Sequence, residues 1–315
     1  VWEDLKAALA DGTAAVLQAP PGAGKTTRVP TALLEEPWLK GRRIVILAPR
    51  RLAARAAAGR MADNLGETVG QTVGCRMRMD TRVGPHTRIE VVTEGVLTRL
   101  LQTDPSLAGV GLVIFDEFHE RHLESDLGLA LCLDIRGVLN PDLRLLVMSA
   151  TLDVEPVAKL LGNAETIRCR GRSYAVETRY RERPGNKPLE RAVAETVRAA
   201  ASNDDGNILV FLPGAPEIRR TARLLERSDL GPEWSTVPLF GNLSRAEQDR
   251  AIAVPPPGRR KIVLATNIAE TSLTIEGIRI VVDGGFRRAP RFDIRSGMTR
   301  LETLPVSRAA ADQRR

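Results

Sequence analysis

The side chains best suited to chemistry lie in a glycine-rich segment, residues 19–27, which reads Ala-Pro-Pro-Gly-Ala-Gly-Lys-Thr-Thr. Gly22 and Gly24 have no Cβ, so the backbone can curl closely around an anion and point its N–H groups at phosphate oxygens. Lys25 would add a positive charge for the β- and γ-phosphates of a nucleotide, and the Thr26 hydroxyl could ligate Mg²⁺. The segment departs from a standard phosphate loop only at its first position, which is alanine instead of glycine. The alternative is a glycine-rich turn that precedes a helix by chance.

A second group of reactive side chains, residues 116–119, follows the apolar run 112–115 and reads Asp-Glu-Phe-His. An acidic pair at the tip of a buried strand complements a phosphate loop, since Asp116 would hold Mg²⁺, directly or through water, and Glu117 would activate the attacking water. His119 could sense the γ-phosphate or be an ordinary hydrogen-bonded histidine. Because loop and acidic pair occur in this order, the sequence predicts a nucleotide hydrolase.

Alternating apolar runs and helical periodicities predict the elements that hold these groups, and the fold class they indicate is α/β with parallel sheets flanked by helices. A strand at 43–48 is followed by Pro-Arg-Arg, which puts Arg50 and Arg51 at the ligand-binding edge of the sheet or in a solvated turn. Strands are predicted at 14–17, around 73, and at 89–92, 112–115, 143–148, 207–212, 261–265 and 278–282. Helices are predicted at 2–10, 26–34, 52–65, 96–102, 126–136, 153–161, 190–201, 216–226 and 245–252, the last capped by Ser244. Residues 162–171 are expected to be irregular.

Composition bounds the class of protein. The chain has 315 residues, a net charge of +7 and 43% hydrophobic residues, which suits a basic, folded protein and is a mild indication of a polyanionic partner. Only 3% of residues are aromatic. If the chain binds a nucleic acid, contacts to phosphate and sugar would therefore have to dominate over base stacking. Cys75, Cys132 and Cys169 lack metal-ligand or disulfide spacing, and neither a signal peptide nor a membrane span is recognisable. We therefore expect a cytoplasmic protein without a membrane partner.

Taken together, these segments resemble a superfamily 2 helicase of the DEAH type along essentially the whole chain. The matching segments are 19–27 for motif I, 48–51 for motif Ia, 93–95 for motif Ib, 116–119 for motif II, 149–151 for motif III, 211–214 for motif IV and 265–275 for motif V. Phe118 stands where the name-giving pattern has alanine. The eleven residues of motif V are the most specific match.

The resemblance implies two tandem RecA-like domains, at 1–168 and 169–315, with the nucleotide site in the interdomain cleft and single-stranded RNA across the top. It implies an ATP-dependent helicase or translocase that uses ATP and Mg²⁺ and couples hydrolysis to domain closure and strand movement. Three alternatives stay open: a motor on DNA, a P-loop NTPase acting on protein or small molecules, and a nucleic-acid-binding remnant with weak ATPase activity.

The resemblance also implies roles for individual residues. Catalytic roles fall to Lys25, Glu117, His119 and Gln313. Nucleotide contacts fall to Pro21, Gly22, Ala23, Gly24, Lys25, Thr26, Thr27, Arg60, Asp116, Ser149, Thr274, Phe286 and Gln313. Metal ligation falls to Thr26, Asp116 and Glu117, and nucleic-acid contacts to Arg50, Arg51, Thr93, Thr266, Asn267 and Thr271. Arg60 and Phe286 would sandwich the base of the nucleotide, by stacking and cation–π attraction, and would tolerate nucleotides other than ATP.

The last residues match motif VI only in part. Gln313 and Arg314 fit its first two positions, but Arg315 occupies a position that takes a small residue in the family. Either the motif is truncated, or intervening residues are missing from the sequence and Arg315 is a later motif arginine. A truncated chain should bind nucleotide but hydrolyse it poorly, because an arginine finger contributes about 10³–10⁵ in rate. The arginines after Phe286 predict either a basic β-hairpin, which in the family helps to separate strands, or a solvated turn.

Overall fold

The structure is a computed structural model that describes residues 1–20, 22–150, 154–169, 175–182, 185–228, 230–270 and 275–315. The chain divides into two compact units, residues 1–173 and residues 174–315. Each unit has its own mainly or wholly parallel sheet, with apolar clusters on both faces in the first unit and one cluster in the second. The predicted α/β class is therefore confirmed, whereas the domain limits placed after residue 168 stay a prediction.

The first unit is built on an eight-stranded sheet. Its strands are β1 (Ala14–Gln18), β2 (Arg43–Ala48), β3 (Val73–Met77), β4 (Asp80–Arg82), β5 (Ile89–Thr93), β6 (Val110–Phe115), β7 (Arg144–Ser149) and β8 (Glu165–Arg168). The strand order is β4-β3-β5-β2-β6-β7-β1-β8, and every neighbouring pair is parallel except β3 and β4. Only β7 lies between β1 and β6, so the loop after β1 and the acidic pair after β6 emerge close together at the same edge.

Helices cover both faces of this sheet. They are α1 (Trp2–Asp11), α2 (Lys25–Ala32), α3 (Arg51–Asn64), α4 (Glu94–Thr103), α5 (Leu123–Val138) and α6 (Glu155–Leu160). Side chains alternate along the strands: Ile44 and Ile46 pack with α1–α3, while Val45 and Leu47 pack with α4–α6. Because both faces are buried, the strands read as continuous apolar runs, which is typical of parallel sheets.

The second unit has a four-stranded parallel sheet in the order β10-β11-β9-β12 and a separate antiparallel hairpin. The strands are β9 (Asn207–Phe211), β10 (Trp234–Leu239), β11 (Arg260–Ala265), β12 (Ile278–Asp283), and the hairpin strands β13 (Phe286–Asp293) and β14 (Met298–Pro305). The helices are α7 (Leu189–Asn203), α8 (Ala215–Glu226), α9 (Arg245–Ile252) and α10 (Arg308–Arg314). The predicted hairpin is confirmed, and Ser244 caps α9 in a reciprocal capping box with Glu247.

The prediction of an irregular segment at 162–171 was wrong, because β8 forms within it and pairs with β1 alone. In this edge strand only Ile167 is buried, so the sequence carries too little apolar periodicity to indicate a strand. Strands β4 and β10 and helix α10 also lie where no element was predicted. No described helix combines the length and apolar composition that crossing a bilayer requires.

Candidate active site

The glycine-rich loop connects the buried strand β1 to the start of α2, as predicted. Gly22 and Gly24 have φ angles of 76° and 71°, in the left-handed region where a Cβ would cause strain. Ala19, the departure from the usual pattern, is buried, and its N–H donates to the Ser149 carbonyl at 3.0 Å. Alanine fits here because this position continues the β1–β7 pairing.

Local hydrogen bonds of 3.3–3.4 Å follow along the loop and the start of α2. Ala23 N–H donates to the Pro20 carbonyl, and the N–H and hydroxyl of Thr27 both donate to the Gly24 carbonyl. These bonds fold the backbone over the start of α2. Pro21, assigned to nucleotide binding, lies outside the described residues.

Lys25 and Glu117 form a buried ion pair across the carboxyl edge of the sheet. The Lys25 Nζ donates to Glu117 Oε1 at 3.0 Å, and the two side chains are only 5% and 7% exposed. The two residues come from different strand ends, 92 positions apart in the chain. The structure therefore brings together the predicted phosphate-binding lysine and the predicted general base.

Thr26 and Asp116 form the second contact between the two motifs. The Thr26 hydroxyl donates to Asp116 Oδ2 at 2.6 Å, and the N–H of Glu117 donates to Asp116 Oδ1 at 2.9 Å. Glu117 itself has φ 50° and ψ 36°, a left-handed conformation that is uncommon for a residue with a side chain. Such local strain is typical of functional sites and here turns the Glu117 side chain back toward Lys25.

The charge of this edge suits a divalent cation. Burial, and then the neighbouring Glu117 carboxylate, raise the pKa of Asp116 to about 7, while Lys25 and the Thr26 hydroxyl act in the opposite direction. Two buried carboxylates thus face a single lysine. Mg²⁺ prefers oxygen ligands and takes only one or two carboxylates beside water and phosphate, so the residues fit this ion. The absence of a cluster of three or more metal-binding side chains among the described residues is compatible with that mode.

His119 is part of the same polar cluster. Burial lowers its pKa, so the ring is neutral near pH 7, and its Nδ1 accepts the N–H of Ala150 at 3.2 Å. This bond assigns the ring proton to Nε2. The Glu117 Oε2 lies 3.5 Å from the unprotonated Nδ1 of His119. Because the ring is neutral in this state, the two side chains do not form an ion pair. His119 links the acidic turn to the end of β7.

Phe118, which replaces the usual alanine of motif II, is a core residue. Its ring is 5% exposed and packs edge-on against Phe115, with ring centroids 6.2 Å apart. The guanidinium of Arg121 lies over the outer face of the same ring at 5.6 Å. The larger side chain thus anchors the turn that carries Glu117.

The remaining nucleotide-binding predictions fall in both units. Ser149 is buried at the end of β7, and Arg60 is exposed on α3. Phe286 is half-buried at the start of β13, and Gln313 is half-buried in α10. The base sandwich of Arg60 and Phe286 therefore stays a prediction. Thr274 lies outside the described residues.

The predicted nucleic-acid residues lie at the carboxyl ends of strands. Arg50 and Arg51 follow β2, and Thr93 ends the neighbouring strand β5, where it pairs in register with the end of β2. In the second unit, Thr266 and Asn267 follow β11. This edge is where open parallel sheets bind ligands. Thr271 lies outside the described residues.

Arg314, the second residue of the partial motif VI, has a buried role inside the second unit. Its guanidinium contacts Glu270 Oε1 at 2.6 Å and Asp283 Oδ1 at 2.7 Å, and it lies 4.7 Å from the centre of the Phe211 ring. The side chain is only 2% exposed. Arg314 therefore ties α10 to motif V and to the end of β12.

We expect Arg314→Ala to lower the free energy of unfolding of the second unit by about 3–5 kcal/mol, because it removes a buried guanidinium that contacts two carboxylates and a ring. The exposed neighbour offers a matched control, and Arg315→Ala should change stability by about 0.5 kcal/mol or less. Urea unfolding followed by Trp234 fluorescence, with Trp2 and Trp38 changed to Phe, isolates the second unit. Equal stability of the two variants would contradict a structural role for Arg314.

Two family models match the chain. One, described as DEAD/DEAH box helicase, covers residues 3–160, and the other, described as Helicase conserved C-terminal domain, covers residues 189–300. The DEAH-type resemblance inferred from the motifs is thereby confirmed. The matched ranges include the phosphate loop and the acidic turn in the first, and the end of β11 in the second.

Individual proteins match as well. The chain is 51% identical over 314 residues to the ATP-dependent RNA helicase HrpB of Escherichia coli (strain K12). The alignment covers 100% of this chain and 39% of that protein. It is 38% identical over 307 residues to the pre-mRNA-splicing factor ATP-dependent RNA helicase prp22 of Schizosaccharomyces pombe, covering 95% of this chain and 26% of that one. The chain thus spans well under half of the length of these relatives.

The fold agrees with the sequence match. The crystal structure of the Escherichia coli DEAH/RHA helicase HrpB matches 100% of this chain and 40% of its own with a TM-score of 0.93 and 51% identity. The tandem RecA-like architecture expected from the motifs is confirmed. The chain belongs to the DEAD/DEAH box helicase family.

Proposed function

We propose that this chain is the ATP-hydrolysing motor segment of an RNA helicase. The observation that supports this most is the pair of contacts Lys25–Glu117 and Thr26–Asp116, which joins a phosphate loop to an acidic pair at one sheet edge. The relatives named above are RNA helicases, which favours RNA over DNA as the track. Because the chain spans only part of those proteins, the activity of a whole helicase is part of the proposal.

In the proposed hydrolysis, the N–H groups of the loop and the Lys25 ammonium bind the β- and γ-phosphates of ATP. Glu117 then accepts a proton from a water whose oxygen attacks the γ-phosphorus, and the bond to the bridging oxygen of ADP breaks, giving ADP and phosphate. Thr26, Asp116 and Glu117 would hold Mg²⁺, and this ion would supply positive charge to the phosphate oxygens. His119 and Gln313 complete the proposed catalytic set, and Ser149 and Thr274 are among the proposed nucleotide contacts.

Before nucleotide arrives, Lys25 and Glu117 neutralise each other. Phosphate oxygens compete with Glu117 for the ammonium group, so ATP binding frees the carboxylate to act as a base. The same event that binds substrate thus activates the catalytic group.

The proposed RNA contacts are to backbone phosphate and sugar. Arg50, Arg51 and Thr93 would supply them in the first unit, and Thr266, Asn267 and Thr271 in the second. Such contacts carry little sequence information and depend strongly on salt. The free cysteines of the described residues suit the cytoplasm as the proposed location.

The proposal predicts that single-stranded RNA stimulates steady-state ATP hydrolysis by the full-length protein, and that stimulation falls steeply with added salt because phosphate contacts release counterions. The assay compares RNA, DNA of the same sequence and no nucleic acid. Equal stimulation by DNA would favour a motor that does not distinguish the 2′-hydroxyl. Hydrolysis indifferent to both would contradict the helicase function, and absence of hydrolysis would indicate a binding remnant.

A further inference from the structure

Beside the hydrolysis site, the first unit contains a row of alternating charges. Arg50 Nη2 lies 3.1 Å from Glu120 Oε2, which also lies 3.1 Å from His122 Nε2. The other ring nitrogen of His122 lies 3.0 Å from Glu94 Oε1, and the Ser125 hydroxyl donates to the same oxygen at 2.8 Å. Neither Glu120 nor His122 has a role in the proposed hydrolysis.

The row connects three segments that lie in or directly after separate motifs, namely Ia, Ib and II. Arg50 precedes α3, Glu94 is the first residue of α4, and Glu120 ends the short turn that begins after Glu117. The N–H of Glu120 donates to the Glu117 carbonyl at 2.9 Å. One short path therefore runs from the proposed general base through Glu120 to Arg50.

His122 acts as a charged bridge in this row. Both ring nitrogens lie within hydrogen-bond distance of a carboxylate, so both carry a proton and donate. The hydrogen bonds to Glu120 and then Glu94 raise the pKa of His122 to about 10. An imidazolium fixes the direction of both bonds, because its two donors point to opposite sides of a rigid ring.

The Arg50 side chain is partly accessible to solvent and is oriented by Glu120. Its side chain is 20% exposed, whereas that of Glu120 is 7% exposed. A guanidinium is a planar fork of N–H donors that matches phosphate geometry, and the contact with Glu120 fixes the orientation of this plane. Glu120 thus orients the guanidinium that is proposed to contact RNA.

We propose that Glu120 and His122 are positioning residues for RNA binding, which use Glu94 at the start of α4 as an anchor and hold Arg50 in fixed relation to the turn that carries Glu117. This inference rests on the proposed function, because it takes Arg50 as an RNA contact and Glu117 as the base. When RNA binds Arg50, its effect is then transmitted through Glu120 to the turn that carries Glu117. The pair would thus couple RNA binding at Arg50 to the turn that carries the proposed general base.

The test measures RNA-stimulated ATP hydrolysis by the full-length protein in His122→Ala, Glu120→Gln and His122→Arg. We expect His122→Ala to raise the RNA concentration for half-maximal stimulation about tenfold, the size of one charge-assisted hydrogen bond, and to leave the KM for ATP unchanged. Glu120→Gln should act in the same direction. His122→Arg should restore most of the loss, since a guanidinium can donate to both carboxylates.

Two controls separate positioning from a general structural effect. Glu124→Gln removes a carboxylate from an exposed residue near His122 and should behave as wild type. In an Arg50→Ala background, His122→Ala should add less than about a twofold change, because the residue acts through Arg50. If His122→Ala does not fold, His122→Gln carries the same test with a side chain of similar size.

The outcomes distinguish this inference from the proposed function. A wild-type protein that RNA does not stimulate would refute the function and the inference together. A stimulated wild type with unchanged variants, or a tenfold effect that persists without Arg50, would refute the inference alone. Tighter RNA binding by Glu120→Gln would also overturn it, since Glu120 would then be restraining Arg50.

Discussion

Replacing Glu117 with glutamine should lower the RNA-stimulated rate of ATP hydrolysis by about 10²–10⁴-fold while nucleotide binding persists. The amide has the same shape and its oxygen can still accept the Lys25 hydrogen bond, but it cannot take a proton from water. The left-handed backbone at residue 117 is unaffected by the exchange. The loss should therefore appear in kcat, while the KM for ATP stays the same or falls, because no carboxylate competes with the phosphates for Lys25.

Single-turnover hydrolysis and titration with a fluorescent ATP analogue measure the two quantities separately. Glu124→Gln is the matched control, because it makes the same chemical change at an exposed position. A Glu117→Gln protein that hydrolyses ATP within threefold of wild type would show that another group takes the proton. A variant that no longer binds nucleotide would assign Glu117 a structural role.

The parts of the site that the sequence revealed are those encoded locally. The loop at 19–27 carries its own signal, since an apolar strand, two glycines, Lys-Thr and a helix follow one another within about twenty residues. The acidic pair is equally local, at the end of the strand 110–115. Placing the two motifs together needs the strand order β6-β7-β1, which the sequence does not display.

The parts that escaped prediction depend on partners far away in the chain. Glu120 and His122 look like solvated charges in sequence, and their partners Arg50 and Glu94 lie 70 and 28 positions away. Phe118 shows the same limit: the sequence marks it as a departure from the family, and only packing against Phe115 explains it. Long-range pairing of this kind leaves no periodicity to detect.

Arg314 is a residue whose contacts the motif match did not predict. The resemblance places it in a motif known for arginines that reach the γ-phosphate, whereas the structure uses its guanidinium on Glu270 and Asp283. Two buried ion pairs and a ring contact make this arginine a structural tie within its own unit. A match to a family motif therefore does not by itself show which groups a residue contacts.

The second large effect is expected at Lys25. Lys25→Ala should weaken ATP binding more than about a hundredfold, because the loop loses its charge for the β- and γ-phosphates. It should also lower the free energy of unfolding of the first unit by about 3–5 kcal/mol near pH 8, since the buried Glu117 carboxylate loses its partner. Nucleotide titration and urea unfolding without nucleotide measure the two losses.

The double variant Lys25→Ala/Glu117→Gln tells the two losses apart. It should regain most of the stability, because the buried carboxylate is absent as well. It should not regain ATP binding, because the lysine is still missing. A single variant as stable as wild type at pH 8 would show that Glu117 does not depend on Lys25, and the idea that ATP activates the base by drawing the lysine away would fail with it.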